Sequence, residues 1–289
     1  MSILVVGATG GVGREVLSQL VSQGIGARGM TRYPARIDKL PAGAEGCVAD
    51  LDRPDTLAAA FDGIESVFLI SPLSRNESEE GCNAVAAAKA AGIGKIVYMS
   101  VPMPEGSTHI PHFKSKIPIE EAIKQSGIPY TVLRPNNFFQ NDYWGKAAIL
   151  HYGVYPQPIG NIGLNRVDTR DIATAAVNAL LNSGFEGQEF AINGTEVLTG
   201  DSVAEVFSRH LNREIRYGGD DLEAWGKQAQ HMMPQWMVED FRVMYGYFQQ
   251  HGLKAGPADL EKQQQLLGGP PRGFDAFVEE LAAEWRESS

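Results

Sequence analysis

The chain has 289 residues, 43% hydrophobic and 21% charged, the composition of an ordinary globular protein with one sizeable core or a nucleotide domain and a smaller companion. Its formal net charge of -10 repels phosphate backbones and no basic run offsets it, so no direct contact with nucleic acid is expected. Cys47 and Cys82 stand far apart without ligand spacing, no apolar stretch can span a bilayer, and a core strand follows Met1 directly. The expectations are buried unpaired thiols, no metal, no membrane segment and a cytoplasmic location.

In chain order, the first strand reads at Ser2–Val6 and runs into Gly7-Ala8-Thr9-Gly10-Gly11-Val12-Gly13, with a helix predicted over about Gly11–Ser22. A glycine pattern between a buried strand and a helix is the context that a dinucleotide loop requires. Gly7 permits the tight turn, Gly10 lets amides approach a pyrophosphate, and Gly13 lets the helix close on the sheet, with Thr9, Gly11 and Val12 completing the loop. The helix N-terminus adds amides and a favourable dipole for the anion. The second strand, Ala27–Thr31, ends in Thr31-Arg32 with Arg36 four residues later, where an NAD enzyme usually places an acid on the ribose hydroxyl. A guanidinium there grips a 2'-phosphate, so NADP(H) is the expected cofactor; the alternative is a solvated loop charge.

The third strand, Gly46–Ala49, is followed by Asp50-Leu51, within reach of an adenine edge; for Asp50, capping the helix near Pro54 is an equal alternative. Strand Ser66–Ile70 ends in Ser71-Pro72, suited to a nicotinamide ribose pocket. Strands at Lys95–Ser100 and Tyr130–Leu133 alternate with helices at about Pro54–Phe61, Ser78–Ala91 and Phe113–Ser126. Strands without a polar face, separated by helices, imply an α/β fold: a Rossmann-type doubly wound parallel sheet with its ligand crevice at the carboxyl ends of the strands. After Pro135, Asn137 and Phe138 are candidates for contact near the nicotinamide and substrate, unless asparagine turns merely hold that loop.

A loop-rich stretch follows, then a helix over Asp168–Leu181 with Asp168 read as its cap, and a late strand at Glu189–Asn193. From Thr199 the chain reads as largely helical, and Trp236, Met237, Phe241, Met244, Tyr245 and Phe248 recur at helical spacing. That stripe packs on the nucleotide domain or, in the sharper reading, forms a lid over an aromatic substrate. The expected division is a dinucleotide domain over 1–150, to which 165–195 returns, and a smaller, mostly helical cap from 151–164 and 196–289.

The loop at Gly7–Gly13, Asp50-Leu51-Asp52, the Gly127–Pro135 segment GIPYTVLRP, Asn136–Asn141, Val167–Ile172 and Gly268–Phe274 together resemble the NmrA-like branch of the atypical short-chain dehydrogenase/reductases, over nearly the whole chain. The resemblance implies NADP(H) and either NADPH-dependent reduction of quinones and dyes or NADP-sensing regulation. In short-chain dehydrogenases a serine on the fifth strand and a Tyr-xxx-Lys on the next helix carry proton transfer. Ser100 matches the serine and Lys116 the lysine, whereas His112 stands where the tyrosine is expected. His112 reads as a general acid, as a helix cap or pocket wall without chemistry, or as a metal ligand with His109, for which no third ligand is spaced. The function expected is an NADPH-dependent oxidoreductase passing hydride to a conjugated acceptor such as a quinone, with Lys116, His112 and Ser100 as catalytic candidates. The competing class is a non-catalytic NADP(H)-sensing regulator with a protein partner. A homodimer is compatible with either.

Overall fold

Seven short strands, the inner ones buried on both faces, build one parallel sheet: β1 (Ser2–Val6), β2 (Gly26–Thr31), β3 (Glu45–Val48), β4 (Ser66–Leu69), β5 (Lys95–Met99), β6 (Tyr130–Pro135) and β8 (Gln188–Ile192). Their order is β3-β2-β1-β4-β5-β6-β8, as seen in the computed structural model, which describes residues 2–287. Ile3 and Val5 point to one face of the pleat and Leu4 and Val6 to the other, and each pair enters a separate buried cluster. Each such side chain contributes about 1.5–3 kcal/mol through its burial. The order reverses between β1 and β4, which opens a crevice beyond their carboxyl ends.

On one face lie α1 (Gly11–Ser22), α6 (Thr169–Leu181) and α10 (Pro257–Leu267); on the other lie α2 (Leu57–Phe61), α3 (Glu77–Ala90) and α5 (Lys116–Ser126). The helix expected over Phe113–Ser126 is broken at Ser115 into α4 (Pro111–Lys114) and α5. Pro118 has no N–H to give the carbonyl of Lys114, so it fits the first turn of a new helix rather than the middle of a long one. The segment expected as a helix over Pro54–Phe61 begins as a 3-10 turn, Pro54–Thr56, before α2. Asp168 caps α6 by accepting from the Arg170 amide at 2.8 Å. The expected late strand is β8, paired in parallel with β6.

The remaining helices, α7 (Gly200–Leu211), α8 (Leu222–Ala229), α9 (Gln235–His251) and α11 (Phe274–Glu287), gather with Ile149, Tyr155 and Phe139 around an aromatic core. A two-stranded parallel pair, β7 (Val154–Tyr155) and β9 (Arg216–Tyr217), sits among them. Arg166 and Asp142, both fully buried, anchor this cluster: Nη2 of Arg166 donates to Asp142 at 2.8 Å and to the Phe138 carbonyl at 2.7 Å, and Tyr155 and Gln157 donate to the same carboxylate at 3.1 and 2.8 Å. Cys47 and Cys82 are free but half-buried rather than enclosed; burial pushes the Cys47 thiol up to about 11. Among the described residues no helix is long and apolar enough to cross a membrane.

Candidate functional site

The crevice holds two adjoining spaces that meet at Ser71-Pro72. Ile70 and Pro72 face a groove of about 280 Å3, while Ser71 and Leu73 face a cavity of about 300 Å3.

The groove runs over the glycine loop. Gly7 holds a φ of +76°, a left-handed turn that a side chain would strain, and its carbonyl accepts from the Gly10 amide at 3.0 Å. A Cβ at Gly13 would lie 2.3 Å from that same carbonyl oxygen, so only glycine lets α1 close on the loop. No side chain caps α1 at Gly10, which leaves the first-turn amides for an anion. At the far end Arg32 lies 3.8–3.9 Å from Asp50, Asp52 and Glu80, beyond hydrogen-bonding distance of all three. Its fork is therefore attracted to these acids but not consumed by them. Arg36 stacks over the Tyr33 ring at 5.1 Å beside it. Oε1 of buried Glu80 has no hydrogen-bond partner, and burial pushes the Glu80 carboxyl above the usual range. Free first-turn amides and an uncommitted guanidinium fit the phosphates of a phosphorylated dinucleotide, and the orphaned Glu80 oxygen can accept only from a hydroxyl or amino group of such a ligand.

The cavity is apolar, with polar groups gathered at the junction. Phe138, Trp144, Phe241, Met244, Tyr245 and Phe248 form much of its wall, and Trp144 lies nearly parallel to Phe241 (17°, 6.3 Å) at its mouth. At the junction Lys116 donates to Glu77 Oε1 at 2.5 Å and to Ser71 Oγ at 2.8 Å. Ser71 in turn donates to the same Glu77 oxygen at 3.0 Å, and Ser115 donates to the other at 2.5 Å. Glu77 opens α3 with Glu79 and Glu80 in the same turn, where the helix dipole favours acids. An ammonium has three donors, so Lys116 keeps one for a ligand. One turn ahead of Lys116, His112 also lines the cavity, and its Nδ1 lies 2.6 Å from Asp240 Oδ1 on α9.

A family model described as the NmrA-like family matches residues 1–277. The chain belongs to the NmrA-like family. An NAD(P)H azoreductase of Xenophilus azovorans is 31% identical over 287 residues, 97% of this chain and 98% of its own length. Two solved structures share the fold. The NADPH-dependent quinone oxidoreductase of Escherichia coli, complexed with NADPH, is 24% identical with a TM-score of 0.84, covering 97% of this chain and 99% of its own. The triphenylmethane reductase of Citrobacter sp. is also 24% identical, with a TM-score of 0.85 over 98% and 100%.

In this NmrA-like chain the residues named from sequence divide between the two spaces. Gly7, Thr9, Gly10, Thr31, Arg32, Arg36, Asp50, Leu51 and Pro72 line the groove; Ser71, Ser100, His112, Lys116, Asn137 and Phe138 line the cavity. Gly11, Val12 and Gly13 line neither: the Val12 side chain is packed in the core, and Gly13 lies against the Gly7 carbonyl. Asp50 does not cap the following turn; its Oδ1 accepts from the Asp52 amide at 3.1 Å. Ser100 lines the cavity, but its hydroxyl proton is given to Glu120 at 2.6 Å, and Glu120 is also gripped by Arg134. Asn137 is anchored by Arg166 at 2.9 Å and Asn136 turns on the Asn137 amide at 2.8 Å, so asparagine turns hold that loop, and Asn137 and Phe138 line the cavity from it. The stripe of α9 packs into the aromatic core of the cap, with Met237 against it, and its buried members Phe241, Met244, Tyr245 and Phe248 also line the cavity. Sequence reasoning missed Glu77, Trp144 and Asp240.

Proposed function

We propose that this protein is an NADPH-dependent reductase of flat, conjugated acceptors such as quinones and azo compounds. The observation that carries the reading is the aromatic cavity of about 300 Å3 joined to the dinucleotide groove at Ser71-Pro72. A protein that only sensed the dinucleotide would need the groove and not a second space walled by Phe138, Trp144 and Phe241. The NAD(P)H azoreductase that matches end to end supports the same activity.

The loop amides after Gly10 would hold the pyrophosphate, Arg32 and Arg36 the 2'-phosphate, and Asp50 and Leu51 the adenine end. When bound, NADPH supplies a hydride. Lys116, with its third donor, binds hydroxyl or carbonyl oxygens at the junction; Ser71 and Glu77 fix where that donor points. Phe241 and Trp144 hold the acceptor flat and exclude water from the junction. An acceptor that spreads arriving charge through conjugation demands less of a protein acid, which fits a site without the usual tyrosine.

The test is nicotinamide absorbance followed over time with NADPH and a panel of quinones, azo dyes and enones, with Lys116→Ala in parallel. Turnover that is lost in the variant supports the reading. Tight NADPH binding without oxidation across the panel overturns it in favour of a sensor.

A further inference from the structure

One hydrogen bond on the cavity wall joins the sheet side to the cap. His112, just ahead of α5, meets Asp240 of α9, 128 residues away, with 2.6 Å between Nδ1 and Oδ1. Both side chains are nearly buried, and a carboxylate set in an aromatic wall is costly unless its charge is answered. Phe113, edge-on at 4.8 Å, and Phe241, at 5.8 Å, hold the plane of the ring. Because a carboxylate only accepts, Nδ1 carries a proton whichever charge the ring has, and the exchangeable site is Nε2. Among the described residues Nε2 has no protein partner, and His112 lines the cavity.

The other ionisable groups of the cavity have roles apart from proton delivery, the third donor of Lys116 being left to bind oxygen atoms at the junction. Lys116 and Glu77 hold each other, and the Tyr245 hydroxyl is directed at Gln157 and pushed above its ordinary range by burial. A structural clip between α4 and α9 could use any donor on the α4 side. What an imidazole adds is a second nitrogen on a residue that lines the cavity.

We infer that His112 is the proton donor of the site and Asp240 its positioning residue, and that the pair serves only acceptors whose reduction needs a proton. The inference rests on the reductase reading. A quinone or azo compound that gains a hydride, with both electrons, from a dihydronicotinamide is left with an anionic oxygen or nitrogen. The Nε2–H bond of the imidazolium breaks, its proton forms the new O–H or N–H bond, and a neutral ring remains with Nδ1–H on Asp240; water restores the proton. A triarylmethane cation behaves differently. Hydride converts it directly into a neutral C–H compound and no proton is consumed.

The two acceptor classes therefore separate proton delivery from everything else. In Asp240→Asn and His112→Gln, kcat for quinone and azo acceptors should fall about a hundredfold or more, the usual share of a general acid. For a triarylmethane dye, whose reduction takes up no proton, the fall in kcat should be at least about tenfold smaller than for the quinone and azo acceptors, whatever KM does as the cavity wall changes. Independently of turnover, 15N NMR of the cofactor-free protein should show neutral His112 as the Nδ1–H tautomer, lost in Asp240→Asn. An equal fall for both acceptor classes, or an Nε2–H tautomer in the parent protein, would overturn the inference. If the parent protein reduced no acceptor of either class, the reductase reading would fail first and take proton delivery with it.

Discussion

Lys116 and Glu77 offer a way to pull folding and chemistry apart. Their side chains are 7% and 1% exposed and their charged atoms 2.5 Å apart. Removing one partner of a buried pair strands the other charge and costs about 3–5 kcal/mol, whereas replacing both by apolar residues of similar size is often neutral or stabilising. Glu77→Leu leaves the ammonium with Ser71 Oγ alone, and it takes an acceptor from the Ser71 and Ser115 hydroxyls as well. Lys116→Met leaves the carboxylate with those two hydroxyls as its remaining donors. At about 2–4 °C per kcal/mol for a domain near this size, each single variant should lose roughly 6–20 °C in Tm. The double variant Glu77→Leu/Lys116→Met should recover most of that loss and still reduce no acceptor. Differential scanning calorimetry and nicotinamide absorbance on the same four proteins decide it. Single variants within about 1 kcal/mol of the parent, or a double variant as unstable as the two losses summed, would refute the claim that this pair is retained for chemistry at a cost to the fold.

Gly13→Ala sets a Cβ against the Gly7 carbonyl and should cost about 1–3 kcal/mol and at least tenfold in NADPH affinity by titration calorimetry; Gly11→Ala, which meets no atom within 4 Å, should leave Tm unchanged. Arg32→Ala should weaken NADPH about ten- to a hundredfold, the worth of one or two charged hydrogen bonds, and NADH by less than about threefold; equal losses would count against its contact with a 2'-phosphate. Burial alone would raise the Asp168 carboxyl, but the Arg170 fork, the Arg170 amide and Gln140 outweigh it and hold it below the usual range. The stability this contributes is present above the unfolded value near 4 and lost as pH falls through the folded one, so Asp168→Asn should flatten the decline in urea midpoint below about pH 4. Trp144, 56% exposed and stacked on Phe241, should show in KM: Trp144→Ala raises it about two- to tenfold for aromatic acceptors with kcat unchanged, as expected for a stacking contact of about 0.5–1.5 kcal/mol.

Features carried by neighbouring residues were legible in the sequence. The glycine loop, the strand ends at Ser71-Pro72 and Asn137, and the Asp168 cap each rest on a few consecutive side chains whose turn chemistry decides the backbone. The α4–α5 break was also written there, in Pro118, which has no N–H for the carbonyl of Lys114. Helix α10 was harder. Its sequence, PADLEKQQQLL, reads as a solvated helix, yet Gln263 is buried against β8, where its amide accepts from the Asn193 N–H at 2.7 Å and donates to the Asn193 carbonyl at 2.9 Å. A side-chain amide thus does at the end of β8 what a further strand would do, and no periodicity marks a glutamine for that task. Glu77 was hidden for a related reason: an acid in the first turn of a helix is already accounted for by the dipole. Only its burial beside Lys116 reveals a second role. Asp240 is the extreme case. It interrupts an apolar stripe that packing alone would prefer unbroken, and its partner lies 128 residues upstream. The one local sign of function in that helix is that a carboxylate is there at all, between Val238 and Phe241, where an apolar residue would stabilise the cap more.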